Sequence, residues 1–248
     1  MITQRKSLWI EIGLVLGVSL GASAIYSLLS LLQTALSSEG IGGSSTALNQ
    51  SLAPNEYFDL ALQLLDISLG LVPVALAIYL LRIRDNDFRL GAWPLQGRDA
   101  LRSIALTAAI GIPGLALYAF ARSTGLAVQV VAAGENKYWW TVPVLLLSAL
   151  RAGLLEEIIM VGFLFKRLEH LGFSFAKRQT LSAVIRGCYH AYQGLGGVIG
   201  NIVLGYVFGW CYRKWGRVAP LVLAHFLLDA VVFVGFALLA KQLAQLGW

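Results

Sequence analysis

Gly153-Leu154-Leu155-Glu156-Glu157-Ile158-Ile159-Met160-Val161-Gly162 sets two adjacent carboxylates inside a largely apolar run over residues 138–165. An ionisable side chain in hydrocarbon costs about 2.5 kcal/mol or more, so such residues usually line a pathway or take part in a reaction. The chain around them has 248 residues, 58% hydrophobic and 13% charged, with a mean hydropathy of +0.72. These values lie outside the range of soluble domains and predict an all-α, polytopic transmembrane helical bundle, one integral membrane domain over residues 1–248. In a soluble protein the net charge of +6 would suggest an anionic partner, but in a membrane the placement of charge matters more. Nucleic acid is therefore not an expected partner. Cys188 and Cys211 fall in apolar segments, where a thiol behaves as a small hydrophobe, and no disulfide is expected.

Seven apolar runs, over residues 8–33, 58–81, 101–121, 138–165, 177–193, 195–212 and 218–240, predict about seven transmembrane helices. Ala22-Ser23-Ala24 resembles a signal-peptide cleavage site, but the run continues past it through Leu29, so a retained first helix is expected. Residues 34–57 are rich in Ser, Gly and Asn and carry no Lys or Arg, which predicts a flexible external loop. Asp59 is expected at the headgroups and Asp66 in a polar contact between helices. Gly111-Ile112-Pro113-Gly114 predicts a bend in the third helix, and Trp139 and Trp140 an outer interface belt. Gly196, Gly200, Gly205 and Gly209 make two small-residue pairs at the spacing that lets helices approach closely.

Charge placement orients these runs. Arg5, Lys6, Arg82, Arg84, Arg89, Arg98, Arg102, Lys166, Arg167, Lys177, Arg178, Arg213, Lys214 and Arg217 fall on one side, fourteen in all, against Arg122, Lys137 and Lys241 on the other. This asymmetry predicts a multi-pass protein of the cell membrane with a cytoplasmic amino terminus. The arginines around Trp93 and Pro94 are expected on the membrane surface, touching anionic lipid. Arg151 and Arg186 are embedded, and Arg151 has no evident partner.

Depth can be counted from the basic end of each helix. Glu156 lies ten residues from Lys166, about 15 Å deep at 1.5 Å per residue. The same count puts His190, Asn201 and Asp229 at about 18 Å and His225 at about 12 Å. Four helices thus carry polar groups at one level, which suggests a polar cavity holding water rather than isolated interhelical contacts. His225 and Asp229 share a helix face, as do Arg186 and His190. Glu156 and Glu157 project about 100° apart, so they are expected to do different jobs.

Taken in order, Glu156-Glu157, His190, and His225 with Asp229 resemble the CPBP family of intramembrane proteases, which includes the type II CAAX prenyl endopeptidases and bacteriocin-processing relatives. The resemblance covers about residues 138–235, within a protease-like core over residues 138–240. The family pattern is Glu-Glu-x-x-x-Arg, Phe-x-x-x-His and His-x-x-x-Asn or Asp. Here Val161 stands where the pattern has Arg, and Arg186 where it has Phe. Arg186 is therefore expected to supply from a neighbouring helix the ion pair that Glu157 has lost.

The resemblance implies a metal-free reaction. Glu156 with His190 would activate a water molecule for attack on a peptide carbonyl, while His225 and Asp229 would stabilise the oxyanion or orient the group that does. An ionised Asp229 accepts hydrogen bonds only, so it is expected either to orient His225 or to carry a proton itself. Glu157 and Arg186 are expected to be structural, and Asn201 either donates to substrate or packs between helices. Tyr189, Tyr192 and Gln193 flank His190 as an entry lining or as interface anchors. The implied partner is a peptide or membrane-protein substrate, prenylated or not, with membrane lipids around it.

Other classes share these residue types. A zinc-dependent membrane protease uses two His and a Glu, but no His-Glu-x-x-His spacing is present. A proton-coupled transporter also embeds Glu, Asp and His, usually with internal repeats and paired broken helices, and no repeat is visible. A non-proteolytic membrane scaffold or immunity protein would keep the fold and have lost the activity through the changes at 161 and 186.

Overall fold

The computed structural model describes residues 2–84, 95–134 and 138–245. Arg89, Trp93, Pro94 and Lys137, assigned above to connections, lie outside the described residues. The elements are α1 (Ile2–Gly17), α2 (Leu20–Leu36), α3 (Gly40–Gly43), β1 (Ser45–Ala47), α4 (Glu56–Gly70), α5 (Val72–Arg84), α6 (Gly97–Ser123) and β2 (Gln129–Val131). There follow α7 (Thr141–Glu156), a π-helical segment (Glu157–Phe163), α8 (Leu164–His170), α9 (Phe175–Tyr189), a 3-10 turn (Ala191–Gln193), α10 (Leu195–Trp215) and α11 (Ala219–Gln245). The helical bundle is as composition requires, with a short parallel β1–β2 pair at one end.

Four helices among the described residues, Glu56–Arg84, Gly97–Ser123, Leu195–Trp215 and Ala219–Leu239, are long and apolar enough to cross a membrane. Gln4–Gly17 and Leu20–Leu36 make a fifth span if taken together, bent by 54°. The count of seven is not reached, for two physical reasons. The 141–170 helix is interrupted by its π segment, and α9 has 15 residues where a span needs about 20. The first apolar run is likewise two helices, separated at Val18-Ser19, not one.

Residues 157–163 are buried on every side, and a helix apolar all round belongs in the middle of a bundle. Ile159, Met160 and Phe163 pack with Leu8 and Ile12 of α1 and with Ala77 and Leu81 of α5. Ile158 meets Val74 and Val222, while Val161 meets Leu106, Phe208 and Leu221. The outer helices turn Ile112, Leu115, Val203, Trp210 and Val231 outward. In lipid such surfaces gain nothing from leaving water, so association rests on close packing. The glycine pairs supply it. A Cβ at Gly196 would lie 2.5 Å from Ala121 Cβ and one at Gly200 3.3 Å from Leu117, both on α6, whereas Gly205 and Gly209 abut Ala183 and Gln179 of α9. Pro113 lies within the continuous α6.

Several polar residues sit elsewhere than expected. Asp59, in the first turn of α4, is fully buried, and its carboxylate accepts from Leu52 N at 2.6 Å and Gln63 Nε2 at 3.1 Å. Asp66 pairs with Arg151 at 2.9 Å, which answers the question of a partner for both. Trp139 is exposed, but Trp140 is buried against Ile67 and Val144. Arg167, counted as a loop charge, is buried with Glu11 at 2.7 Å, and Glu11 also meets Arg84. Arg217 forks onto the buried Asp99 at 3.0 and 2.7 Å. Residues 34–57 are tied down, with β1 paired to β2 and Gly42 O accepting from Arg122 at 2.9 Å. Cys188 and Cys211 are free.

Gly153 sets the approach of α7 to α11. A Cβ there would lie 2.9 Å from Val222 O and 3.2 Å from Phe226 N, both backbone atoms that cannot rotate away. Gly153→Ala should therefore lower unfolding stability in detergent by about 1–3 kcal/mol, measured by denaturant titration, whereas Gly235→Ala, with open space around it, should not.

Candidate active site

Four elements deliver a polar cluster to the interior. Glu156 ends α7 and Glu157 opens the π segment; Arg186, Tyr189 and His190 come from the end of α9, and His225 and Asp229 from α11. π-helical turns are rare and often occur where a helix presents functional groups. The widened turn is supported by Ser182, whose hydroxyl donates to Met160 O at 3.1 Å.

Arg186 is fully buried and its guanidinium joins both carboxylates. Nη1 donates to Glu156 Oε2 at 3.1 Å and Nη2 to Glu157 Oε1 at 2.7 Å. The arginine missing at position 161 thus arrives from the neighbouring helix, while Val161 fills an apolar cluster. The close crossing of α9 and α10 at Gly205, where a Cβ would lie 2.8 Å from Ala183 Cα, brings the Phe208 ring to 5.6 Å from the guanidinium. A cation over an aromatic face is attracted to it, more strongly when desolvated.

The two carboxylates differ in their surroundings. Glu157 is fully enclosed: its Oε1 accepts from Arg186 and from His225 Nδ1 at 2.7 Å, and its buried Oε2 has no hydrogen-bond partner among the described residues. Glu156 Oε2 accepts from Arg186 and from the Tyr189 hydroxyl at 2.7 Å. Its Oε1 has no hydrogen bond among the described residues and faces His190 Nε2 at 3.9 Å, and the side chain keeps 11% exposure. Glu156 is therefore the open carboxylate of the two.

Both histidine tautomers follow from their partners. His190 Nδ1 lies 3.0 Å from Arg186 O, and since a carbonyl only accepts, Nδ1 carries the hydrogen and Nε2 of the neutral ring keeps its lone pair. His225 Nδ1 donates to Glu157, leaving Nε2 at 3.9 Å from Glu156 Oε2 and 3.5 Å from Asp229 Oδ2. Asn201 is not drawn into this cluster, because its amide donates to Gly197 O of its own helix at 3.0 Å. Polar groups from three helices meet, then, where four were expected.

Some contributors were not singled out from sequence. Tyr189, taken for an entry lining or an interface anchor, is buried and bonded to Glu156; its place three residues after Arg186 puts both on one helix face, a usable signal. Ser27 of α2 accepts from Tyr192 N at 2.7 Å and holds the turn after His190, a contact across 165 residues that no local pattern announces. The Tyr192 ring stacks on His190 at 6.3 Å. Glu156, Glu157 and His225 each offer a ligand atom within 4.8 Å of the others, close enough for a metal ion. Arg186 already directs positive charge at both carboxylates, which competes with a cation there.

Residues 138–231 match the family model of Type II CAAX prenyl endopeptidase Rce1-like. The match spans less than half of the chain and includes all of the residues just described except Ser27. No curated protein and no solved structure matches the chain. The Rce1-like family is a family of proteases, and the apolar helices around the matched segment make this a multi-pass membrane protein.

Arg186→Phe removes the cation from between two buried carboxylates and should destabilise the fold by about 3–5 kcal/mol. Adding Val161→Arg, which restores the family pattern, should recover part of that loss. Equal instability of the single and double variants, read from unfolding in detergent, would contradict this account of the pair.

Proposed function

We propose that this Rce1-like membrane protein is a glutamate-dependent intramembrane endopeptidase that hydrolyses a peptide bond with a water activated by Glu156 and His190. The observation that carries the reading is the gap between Glu156 Oε1 and His190 Nε2. Both atoms are acceptors, they lie 3.9 Å apart, and they cannot bond to each other. A water donating one hydrogen to each satisfies both and leaves its oxygen lone pairs free for a carbonyl carbon. As the water attacks, Glu156 takes one of its protons and then delivers that proton to the leaving amine as the C–N bond breaks, so that one carboxylate serves as general base and then as general acid. His190 Nε2 accepts the hydrogen bond of the water's other O–H and holds it in line.

His225 supplies the donor for the oxyanion through Nε2 when that nitrogen carries a proton, with Asp229 orienting the ring and Glu157 holding Nδ1. Glu157 and Arg186 keep the charges balanced behind the reacting atoms, and Asn201 packs within its own helix. We read the short α9 and the broken 141–170 helix as two further membrane crossings, giving seven, with the amino terminus cytoplasmic in the cell membrane. We read the substrate as a peptide or membrane protein, a prenylated carboxyl-terminal peptide included, reached from the basic side.

A zinc reading has the Glu156, Glu157 and His225 grouping in its favour, but the guanidinium against both carboxylates favours the metal-free reaction. In detergent or liposomes the wild type should cleave a reporter peptide, and Glu156→Gln, shown to be folded, should lose about 10²- to 10⁴-fold in kcat. Persistent cleavage by that variant would refute the assigned base. Chelators should leave the rate unchanged; one tightly held zinc per chain, with activity lost on its removal, would favour the metal.

A further inference from the structure

We propose that Tyr189 is a positioning residue that, together with Arg186, fixes the orientation of the Glu156 carboxylate so that the oxygen facing His190, Oε1 here, is left free to receive the proton; the inference rests on the hydrolytic reading above. The two oxygens of a carboxylate are chemically alike, and the last torsion of a glutamate is broad and two-fold, so nothing intrinsic to Glu156 decides which one reacts. The last turn of α9 decides it. Oε2 takes two donors, the Tyr189 hydroxyl at 2.7 Å and Arg186 Nη1 at 3.1 Å, both strengthened by the charge of the acceptor. Arg186 is shared, since its Nη2 also serves Glu157 at 2.7 Å, whereas the hydroxyl serves Glu156. The shorter and undivided bond is therefore the tyrosine's.

Tyr189 is itself held in place. It is 5% exposed, packs in the cluster around Ile159 and Met160, and its ring lies 4.7 Å from that of His190. Three residues of one helix end thus act on one carboxylate. Arg186 and Tyr189 tie down Oε2, and His190 presents Nε2 to Oε1. A half-turn only exchanges two equivalent oxygens, but any smaller rotation breaks both hydrogen bonds, so the carboxylate plane stays fixed with one oxygen directed at His190 and at the space for water between them.

Tyr189→Phe keeps the ring and removes only the hydroxyl. Its kcat should fall by about 10- to 100-fold, the size of a misplacement effect, with KM within about twofold and unfolding stability close to wild type. A second readout needs no substrate: the infrared carboxylate band of Glu156, identified as the band lost in Glu156→Gln, should shift in Tyr189→Phe. An unchanged kcat or an unmoved band overturns the inference. A wild type that cleaves nothing, or cleavage that survives Glu156→Gln, overturns the hydrolytic reading instead, and the band then still decides whether Tyr189 holds Glu156.

Discussion

Arg186 lies fully buried with one arm of its guanidinium on each of two adjacent glutamates, and the rest of the interior is arranged around that contact. Two unit charges 4 Å apart interact by about 4 kcal/mol at an effective dielectric of about 20, so two carboxylates pressed together without a cation would be a major strain on a fold of ordinary stability. The guanidinium suits this place because it is planar, permanently charged and forked, and can serve two acceptors at once. His225 adds a second donor to Glu157 from the opposite side. Three helices are thereby joined through charge-assisted bonds at the point where the bundle is most enclosed.

Such a knot requires backbones close enough for short side-chain reach. Gly153 lets α7 touch the backbone of α11 one turn before Glu156, and Gly205 lets α10 touch α9 beside Arg186. The π segment then carries the chain through the centre with every one of its residues buried. Packing from α1 and α5 on one side and from α6, α10 and α11 on others holds it there. Within this frame the two glutamates part company: Glu157 is sealed in, and Glu156 keeps one oxygen open towards His190.

Much of this was legible beforehand. Hydropathy sufficed for a membrane bundle because burial in lipid is a sum over local composition, and the level of the polar residues followed from counting along helices. His225 and Asp229 could be paired because four residues make one helical turn. The pairing of Glu157 with an arginine from α9 could be framed as an expectation because the two departures at 161 and 186 are complementary. Less legible was the burial of Asp59, through Leu52 and Gln63 close by in sequence, and of Arg167, through Glu11 at the other end of the chain. Asn201 matched the polar layer by depth counting, and the bond its amide makes, to Gly197 O of its own helix, is one that depth counting does not reveal.

The sequence alone determined that the chain is a helical membrane protein, since that depends on composition, while depth counting and the family resemblance raised the expectation that Glu156, Glu157, His190, His225 and Asp229 belong together. Tertiary structure alone decided that Arg186 spans both glutamates, that Tyr189 holds one oxygen of Glu156, and that α1 and α2, like the 141–170 helix, are broken rather than continuous. Those outcomes turn on helix rotation, close backbone approach and single ångströms between side chains from different helices, quantities to which no local pattern of residues is sensitive.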